Sequence, residues 1–189
     1  SSSCLQVNFY IQLDEIINFI KEGKRIESNL LEIEKYLSDK NYSYEILIVV
    51  DGSPDNTAEI ARGFGNRLKN LRVIDNPKNH GKGYVVRQGL LAAQGEVRVF
   101  LDADGSTSIN HLDSFLPEIN NGAGVVMGSR DHKDTVIKVH QPKYRELMGD
   151  MGNWLIRIIL GLWSFPDTQC GFKVLSGKAA QQVASRMVV

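Results

Sequence analysis

The stretch from Glu96 to Ser108, EVRVFLDADGSTS, limits what this chain can fold into more than any other. Val97, Val99 and Leu101, with Phe100 between them, make the apolar run of a strand covered on both faces, and Gly105 then breaks it. Such a strand belongs inside a sheet sandwiched between helices. Asp102 and Asp104 fall at its carboxyl end, the edge at which open α/β sheets bind ligands. Two carboxylates two residues apart can aim at one hard cation. Mg²⁺ or Mn²⁺ held that way keeps open positions for the oxygens of a diphosphate. A solvated turn uses Asp as freely, so the D-x-D takes its meaning from the motifs around it.

The rest of the chain alternates strands and helices, without repeats or low-complexity tracts. Leu5 to Ile11 alternates apolar and polar residues, and Ile16 to Ile20 is a short apolar run; the second is taken as the first strand. Arg25 to Leu37 reads as a helix with Ile26, Leu30, Ile33 and Leu37 on one face. Glu45 to Val50 (EILIVV) is a buried strand turned by DGSPDNT. A short helix through Ile60 and Phe64, a strand at Leu71 to Ile74 and a helix over Gly83 to Gln94 lead to the central strand. Beyond it come a helix at Ile109 to Ile119, a strand at Gly124 to Met127, and helices at Tyr144 to Leu160 and Gly177 to Arg186. This succession predicts an α/β fold: a single domain with a mostly parallel sheet, helices on its faces and right-handed crossovers.

Composition narrows the function. The 189 residues carry 22 Lys and Arg against 22 Asp and Glu, with 42% apolar residues. That suits one soluble domain with a sizeable core and excludes a basic nucleic-acid reader. Cys4 and Cys170 are too few and too distant for a disulfide framework, so a reducing, cytoplasmic compartment is expected. His80, His111, His132 and His140 sit in loop-like or polar contexts and read as surface residues, not metal ligands. The longest apolar run, Trp154 to Phe165, is broken by Arg157 and falls short of the roughly 20 residues that span a bilayer. It suits a core helix or one lying at a membrane interface. The N-terminus has neither a basic region nor a continuous apolar segment, so no signal peptide is expected.

Four further stretches carry chemistry. Val49 to Thr57 puts Asp51 on the same sheet edge as Asp102, where it can accept hydrogen bonds from a base or a ribose hydroxyl. Asp55 reads as the cap of the helix that follows. Asn79 to Gly83, NHGKG, fails both the Walker and the dinucleotide patterns, which counts against triphosphatases and dehydrogenases. Lys82 still offers charge to a phosphate, and Gly81 and Gly83 allow close backbone approach. Gly128-Ser129-Arg130 brings a guanidinium that can pair with phosphate oxygens. Asp167 to Lys173, DTQCGFK, is a polar turn with an aromatic and a lysine, able to close over a sugar or a phosphate.

In this order YEILIVVDGSPDNT, NHGKGYVVRQGLLAAQGEVRVFLDADGSTS, GSR and DTQCGFK resemble the family 2 inverting glycosyltransferases of GT-A, Rossmann-like fold. Within that family the likeness is to the dolichyl- or polyprenyl-phosphate glucosyltransferases, with the mannosyl-phosphate synthases as cousins. It runs from about Glu22 to Ala180, and DTQCGFK is its most specific part. The resemblance implies that Asp102 and Asp104 bind metal and diphosphate, with Ala103 and Ser106 lining the same donor site. It implies that Val49 and Asp51 hold the base and ribose, that Arg130 binds phosphate, and that Gln169 to Lys173 lie near the sugar and acceptor. Lys143 and Arg145 are candidates for gripping the acceptor phosphate.

The implied reaction moves glucose from UDP-glucose to a dolichyl or polyprenyl phosphate at the cytoplasmic face of a membrane. GDP-mannose as donor, a saccharide as acceptor, and a vestigial nucleotide-sugar-binding domain are the alternatives. A metal and an arginine stabilise the charge developing on the leaving diphosphate. A phosphate acceptor is largely dianionic at neutral pH, so no general base is required. Two departures stand out. The family's Pro-Ala-Tyr/Phe-Asn-Glu strand end should fall at Ile16 to Glu22, where only Glu22 matches, so donor binding is expected to suffer. The chain also stops at SRMVV, where the family continues past Ala180 with an acidic strand and helices, which reads as a truncation.

Overall fold

The computed structural model describes residues 6–12, 22–54, 56–68, 70–102, 107–128 and 170–189; for 6–12, 22–25 and Asp102 it describes the backbone alone. The chain divides into two compact units, residues 1–126 with 172–189 and residues 127–171. In chain order the elements are β1 (Gln6–Gln12), α1 (Glu22–Ser38), β2 (Ser43–Asp51), α2 (Thr57–Gly63), β3 (Leu71–Asn76) and α3 (Lys82–Ala92). They continue with β4 (Val97–Asp102), α4 (Leu112–Asn120), β5 (Val125–Met127), β6 (Lys173–Ser176) and α5 (Gly177–Arg186). Short 3-10 turns at Phe64–Asn66 and Ile109–His111 extend α2 and introduce α4.

The six strands form one sheet in the order β3-β2-β1-β4-β6-β5. β1, β2, β3 and β4 run parallel to one another, while β6 runs antiparallel to β4. The expected α/β, mostly parallel architecture is the one observed. Connections from β1 through β2 to β3 step one way across the sheet, and the connection from β3 to β4 steps back past β1. Right-handed crossovers then set α1 and α2 on one face and α3 on the other. The order reverses between β1 and β4, and that switch point is where doubly wound sheets open a ligand crevice.

The first strand differs from the one expected. Gln6–Gln12, not Ile16 to Ile20, fills the place between β2 and β4 and pairs with both along its length. Residues 13–21 lie outside the described residues. Only one strand can occupy that position, and the period-2 stretch of seven residues supplies a full ladder. Its alternation resembles an edge or half-buried strand although its position is central. β6 is a second addition. At four residues it is too short to show a period, and its strand character comes from pairing Val97 to Phe100 with Ser176 to Lys173.

The core follows the predicted faces. In α1 Ile26, Leu30, Ile33 and Leu37 are buried, and in β2 every residue from Ile46 to Val50 is. Leu47, Val49, Val85 and Phe100 make a cluster against which Ile74, Tyr84, Val86 and Ala92 pack, joining α3 to the sheet. Leu90, Leu175, Ala180 and Ala184 join α3 to β6 and α5. Each large aliphatic buried this way contributes about 1.5–3 kcal/mol. Arg98, buried in β4, donates to the carbonyls of Leu90 and Gly95 near the end of α3. A cation suits the negative end of a helix dipole. Burial lowers its pKa, an effect the nearby Glu45 opposes. Across the other helices Tyr36 and Lys40 both donate to Asp113 of α4, at 2.7 and 2.8 Å.

Candidate active site

β2 and β4 flank β1, and both end in aspartate. Gln12, the last residue of β1, is in register with Val49 on one side and with Asp102 on the other. Asp51 lies at the carboxyl end of β2 opposite Asn76 of β3. Two acidic strand ends therefore border the switch point, on strands separated by about 10 Å, two inter-strand spacings. Asp104 with Ala103 and Ser106, and Arg130, Lys143, Arg145 and Gln169, lie outside the described residues, as do Asp55 and the helix expected at Tyr144 to Leu160. Glu22 is the first residue of α1 and Asp102 the last of β4, each described by its backbone.

Asp51 is only 5% exposed, and its carboxylate is enclosed by protein donors. Oδ2 accepts from the backbone N–H groups of His80 and Gly81, both at 2.8 Å. Oδ1 accepts from Asn76 Nδ2 at 3.2 Å and from His80 Nδ1 at 3.1 Å. A carboxylate has about four acceptor positions, and here each oxygen receives two donors. Burial pushes the Asp51 pKa up, but the bonds from His80, Gly81 and Asn76 outweigh it and hold the group below the usual carboxylate range. Because a carboxylate only accepts, the His80 proton on this contact resides on Nδ1.

The surrounding residues extend this grip. Asn76 exchanges two hydrogen bonds with Gln88 of α3, at 2.9 and 3.1 Å. The His80 ring stacks on Tyr84, with centroids 4.3 Å apart and planes 18° off parallel. Gly52 has φ +69°, and a Cβ there would lie 2.4 Å from the Asn79 nitrogen. Only glycine lets the 78–79 backbone cross so close over the end of β2. His80 is thus no isolated surface residue, as the sequence had suggested; its side chain is 24% exposed and turned onto Asp51. Asn76, Gln88 and Tyr84 were also missed. The register of Asn76 with Asp51 could have flagged it had β3 been extended two residues beyond Ile74.

Two of the predicted lysines, from distant motifs, approach the same aromatic ring. Lys82 opens α3 and Lys173 opens β6, and their Nζ atoms lie 5.9 and 5.7 Å from the centroid of the same ring, Phe100. Both distances suit cation–π attraction. Lys173 is there because Phe100 is its register partner and because Phe172 anchors the strand. Phe172 is fully buried and meets Phe115 edge-on at 5.1 Å. It is a core residue and not part of a covering loop. Val49 is also fully buried, packed with Leu47, Val85 and Phe100, so its side chain supports the edge from beneath. The helix after DGSPDNT begins with Asn56 as its cap residue, without a capping bond from the side chain.

Mg²⁺ or Mn²⁺ fits the residue types at this edge, since hard cations take carboxylate oxygens and β4 delivers Asp102 to the switch point. Among the described residues no group of three or more His, Cys, Asp or Glu converges on one point. None of their helices is long and apolar enough to cross a membrane.

Comparison with known proteins agrees with this architecture. Residues 16–183 match the family described as Glycosyl transferase family 2. Dolichyl-phosphate beta-glucosyltransferase ALG5D of Trichomonas vaginalis is 34% identical over 178 residues, 89% of this chain and 54% of that protein. The dolichyl-phosphate beta-glucosyltransferase of Drosophila melanogaster is 30% identical over 192 residues, 95% of this chain and 59% of that one. The chain thus spans about half the length of the curated relatives it matches. Among solved structures, the mannosyltransferase PcManGT of Pyrobaculum calidifontis in complex with GDP-Man and Mn²⁺ superposes with TM-score 0.63 at 16% identity. That match covers 96% of this chain and 47% of the other. Mannosyl-3-phosphoglycerate synthase of Rubrobacter xylanophilus gives 0.65 at 18%, over 92% of this chain and 54% of the other. On its family match and its sheet order together, the chain belongs to glycosyl transferase family 2 and has the GT-A fold.

Proposed function

We propose that residues 1–189 serve one catalytic domain that transfers glucose from UDP-glucose to a dolichyl or polyprenyl phosphate, with inversion at the anomeric carbon. The observation that carries this reading is the pair of aspartate-ended strands, β2 and β4, on either side of β1 at the switch point. Its substrates are suggested by relatives whose names are those of dolichyl-phosphate glucosyltransferases. Glu22, Val49, Asp51, Lys82, Ala103 and Ser106 belong to the donor side, some by contact and some by support. Arg130, Lys143, Arg145, Gln169 and Lys173 bind the acceptor phosphate or the leaving group. Mg²⁺ or Mn²⁺ held by Asp102 and Asp104 supplies charge neutralisation of the leaving diphosphate.

An oxygen of the lipid phosphate attacks the anomeric carbon from the side opposite the diphosphate. The new carbon–oxygen bond forms as the bond to UDP breaks, and UDP leaves with the electron pair. The phosphate acceptor is already dianionic near neutral pH, so no proton has to be removed. Arg130 and Lys82 offset charge as it moves onto the leaving group. A lipid acceptor calls for work at a membrane surface, on its cytoplasmic face, where nucleotide sugars are the donors.

Incubation with labelled UDP-glucose, or with labelled GDP-mannose, and a short polyprenyl phosphate tests the reading. Label from UDP-glucose should pass into the organic phase. Label from GDP-mannose alone, or label on a soluble saccharide, would replace the donor or the acceptor. No transfer from either donor, with UDP still bound, would favour a nucleotide-sugar-binding domain.

A further inference from the structure

The helices on the two faces of the sheet differ in charge. α3 and α5 pack on each other through Leu90, Leu175, Ala180 and Ala184, and Arg87 Nε donates to the Ala184 carbonyl at 3.1 Å. Residues 77–95 and 170–189, which build this layer, contain Lys78, Lys82, Arg87, Lys173, Lys178 and Arg186 and no Asp or Glu. The chain as a whole has zero net charge, so the remainder is acidic by the same six charges. Much of that acid stands on the other face. From residue 26 on, α1, α2 and α4 carry Glu27, Glu32, Glu34, Glu59, Asp113 and Glu118 against Lys35 and Arg62. Away from α3 and α5, the cations Lys40, Arg62, Arg67 and Arg72 each pair with a carboxylate at 2.7 to 3.3 Å. Lys178 and Arg186 are exposed, and neither α3 nor α5 holds an acid to pair with them. Glu96, the acid that follows α3, meets α5 at its start, where its carbonyl accepts from the Gly177 N–H at 2.6 Å. From there α5 runs back to the carboxyl edge of the sheet, and a Cβ at Gly83 of α3 would lie 2.9 Å from Val189. Two aliphatic side chains lie open on the same layer, Leu91 at 37% and Val183 at 42% exposure.

A cationic face on a neutral molecule attracts anions over a distance of about 10 Å at ordinary salt. A second copy would bring the same charge to it and be repelled. A small soluble anion needs donors that converge, whereas these cations are spread along two helices with aliphatic side chains among them. That pattern suits an extended anionic surface with an apolar interior. We propose that the α3–α5 layer docks on an anionic lipid surface, with Lys178 and Arg186 drawn to the headgroups and Leu91 and Val183 entering the interface. The flexible stems of lysine and arginine let the charges reach the headgroups while the helices lie flat. Docking depends on the reading above only for its use, since a lipid acceptor is met at a membrane surface.

Cosedimentation of the whole protein with vesicles tests the docking. Wild type should bind vesicles of phosphatidylcholine mixed with phosphatidylserine, leave pure phosphatidylcholine vesicles in suspension, and come off the mixed vesicles in high salt. Lys178→Gln with Arg186→Gln keeps good helix formers at exposed positions and should weaken binding roughly fivefold for each cation removed. Lys35→Gln with Arg62→Gln removes the same charge from the other face and should change binding less than about twofold, because screening confines the attraction to the docked side. Equal binding to both kinds of vesicle, equal losses in the two double variants, or no binding of wild type would overturn the docking. Binding to soluble polyglutamate but not to vesicles would overturn it too, by giving the layer to an acidic polypeptide. Glucose transfer to a short polyprenyl phosphate in detergent, without vesicles, should be the same in wild type and in Lys178→Gln with Arg186→Gln. No transfer by wild type beside intact vesicle binding would remove the catalytic reading and leave the docking face in place.

Discussion

At the scale of single residues, the behaviour of Asp51 follows from its donors. Its folded pKa lies below the ordinary carboxylate value, so the ionised form is the one that folding prefers. The stability it contributes is present above the unfolded pKa of about 3.9 and is lost as pH falls through the lower folded value. Denaturant unfolding of wild type and Asp51→Asn should therefore differ by roughly 1–3 kcal/mol at pH 6, the cost of breaking a buried charged network. The gap should narrow steadily once the pH drops below about 4. A gap that stays constant to pH 2 would mean the carboxylate titrates as it does in the unfolded chain. Asp113, held low by Lys40 and Tyr36, adds to acid sensitivity in both proteins and cancels in the comparison. The aspartate itself was legible in VVDGS, since a strand followed by Asp-Gly-Ser announces an edge and a turn. Its donors were not, because His80 and Gly81 lie about thirty residues away and nothing local ties them to β2.

At the scale of elements, periodicity gave the helices and misjudged the strands that depend on partners. α1 shows why. Its apolar residues recur at three- and four-residue spacing, a property of the helix alone, and the face so defined is the buried one. Leu30 is fully buried while its neighbour Leu31 is 38% exposed. Leu30→Ala should cost about 2–5 kcal/mol in a urea titration, a buried methyl cluster replaced by a void. Leu31→Ala should stay within about 0.5 kcal/mol. Comparable losses at the two positions would show that α1 does not bury the face assigned to it. β1 and β6 are the opposite case. Strands become strands by pairing, and neither the alternation of Gln6–Gln12 nor the four residues of β6 reveals a neighbour. The polar character of DTQCGFK hid a core anchor, Phe172, and a lysine set over Phe100 by antiparallel register.

At the scale of the whole molecule, the proposed chemistry needs an anion pocket assembled from distant segments around one cation. UDP affinity should fall at least tenfold when divalent ions are chelated, because neutralising the diphosphate is the cation's task. Asp104→Ala should give the same weakened affinity with or without chelator. Undiminished binding after either treatment would remove the metal from the reading. Such a pocket is decided by topology, and the succession of strands and helices already implied a doubly wound sheet. The sequence by itself determined the buried strands EILIVV and EVRVFL, the helix faces and the acids at the strand ends, because hydrophobic period and turn chemistry are local. Only the tertiary structure decided which strand lies between β2 and β4, that β6 runs antiparallel to β4, and that Asp51 accepts hydrogen bonds from the turn before α3. Those outcomes depend on register and on donors brought from far along the chain, and a linear pattern carries no record of either.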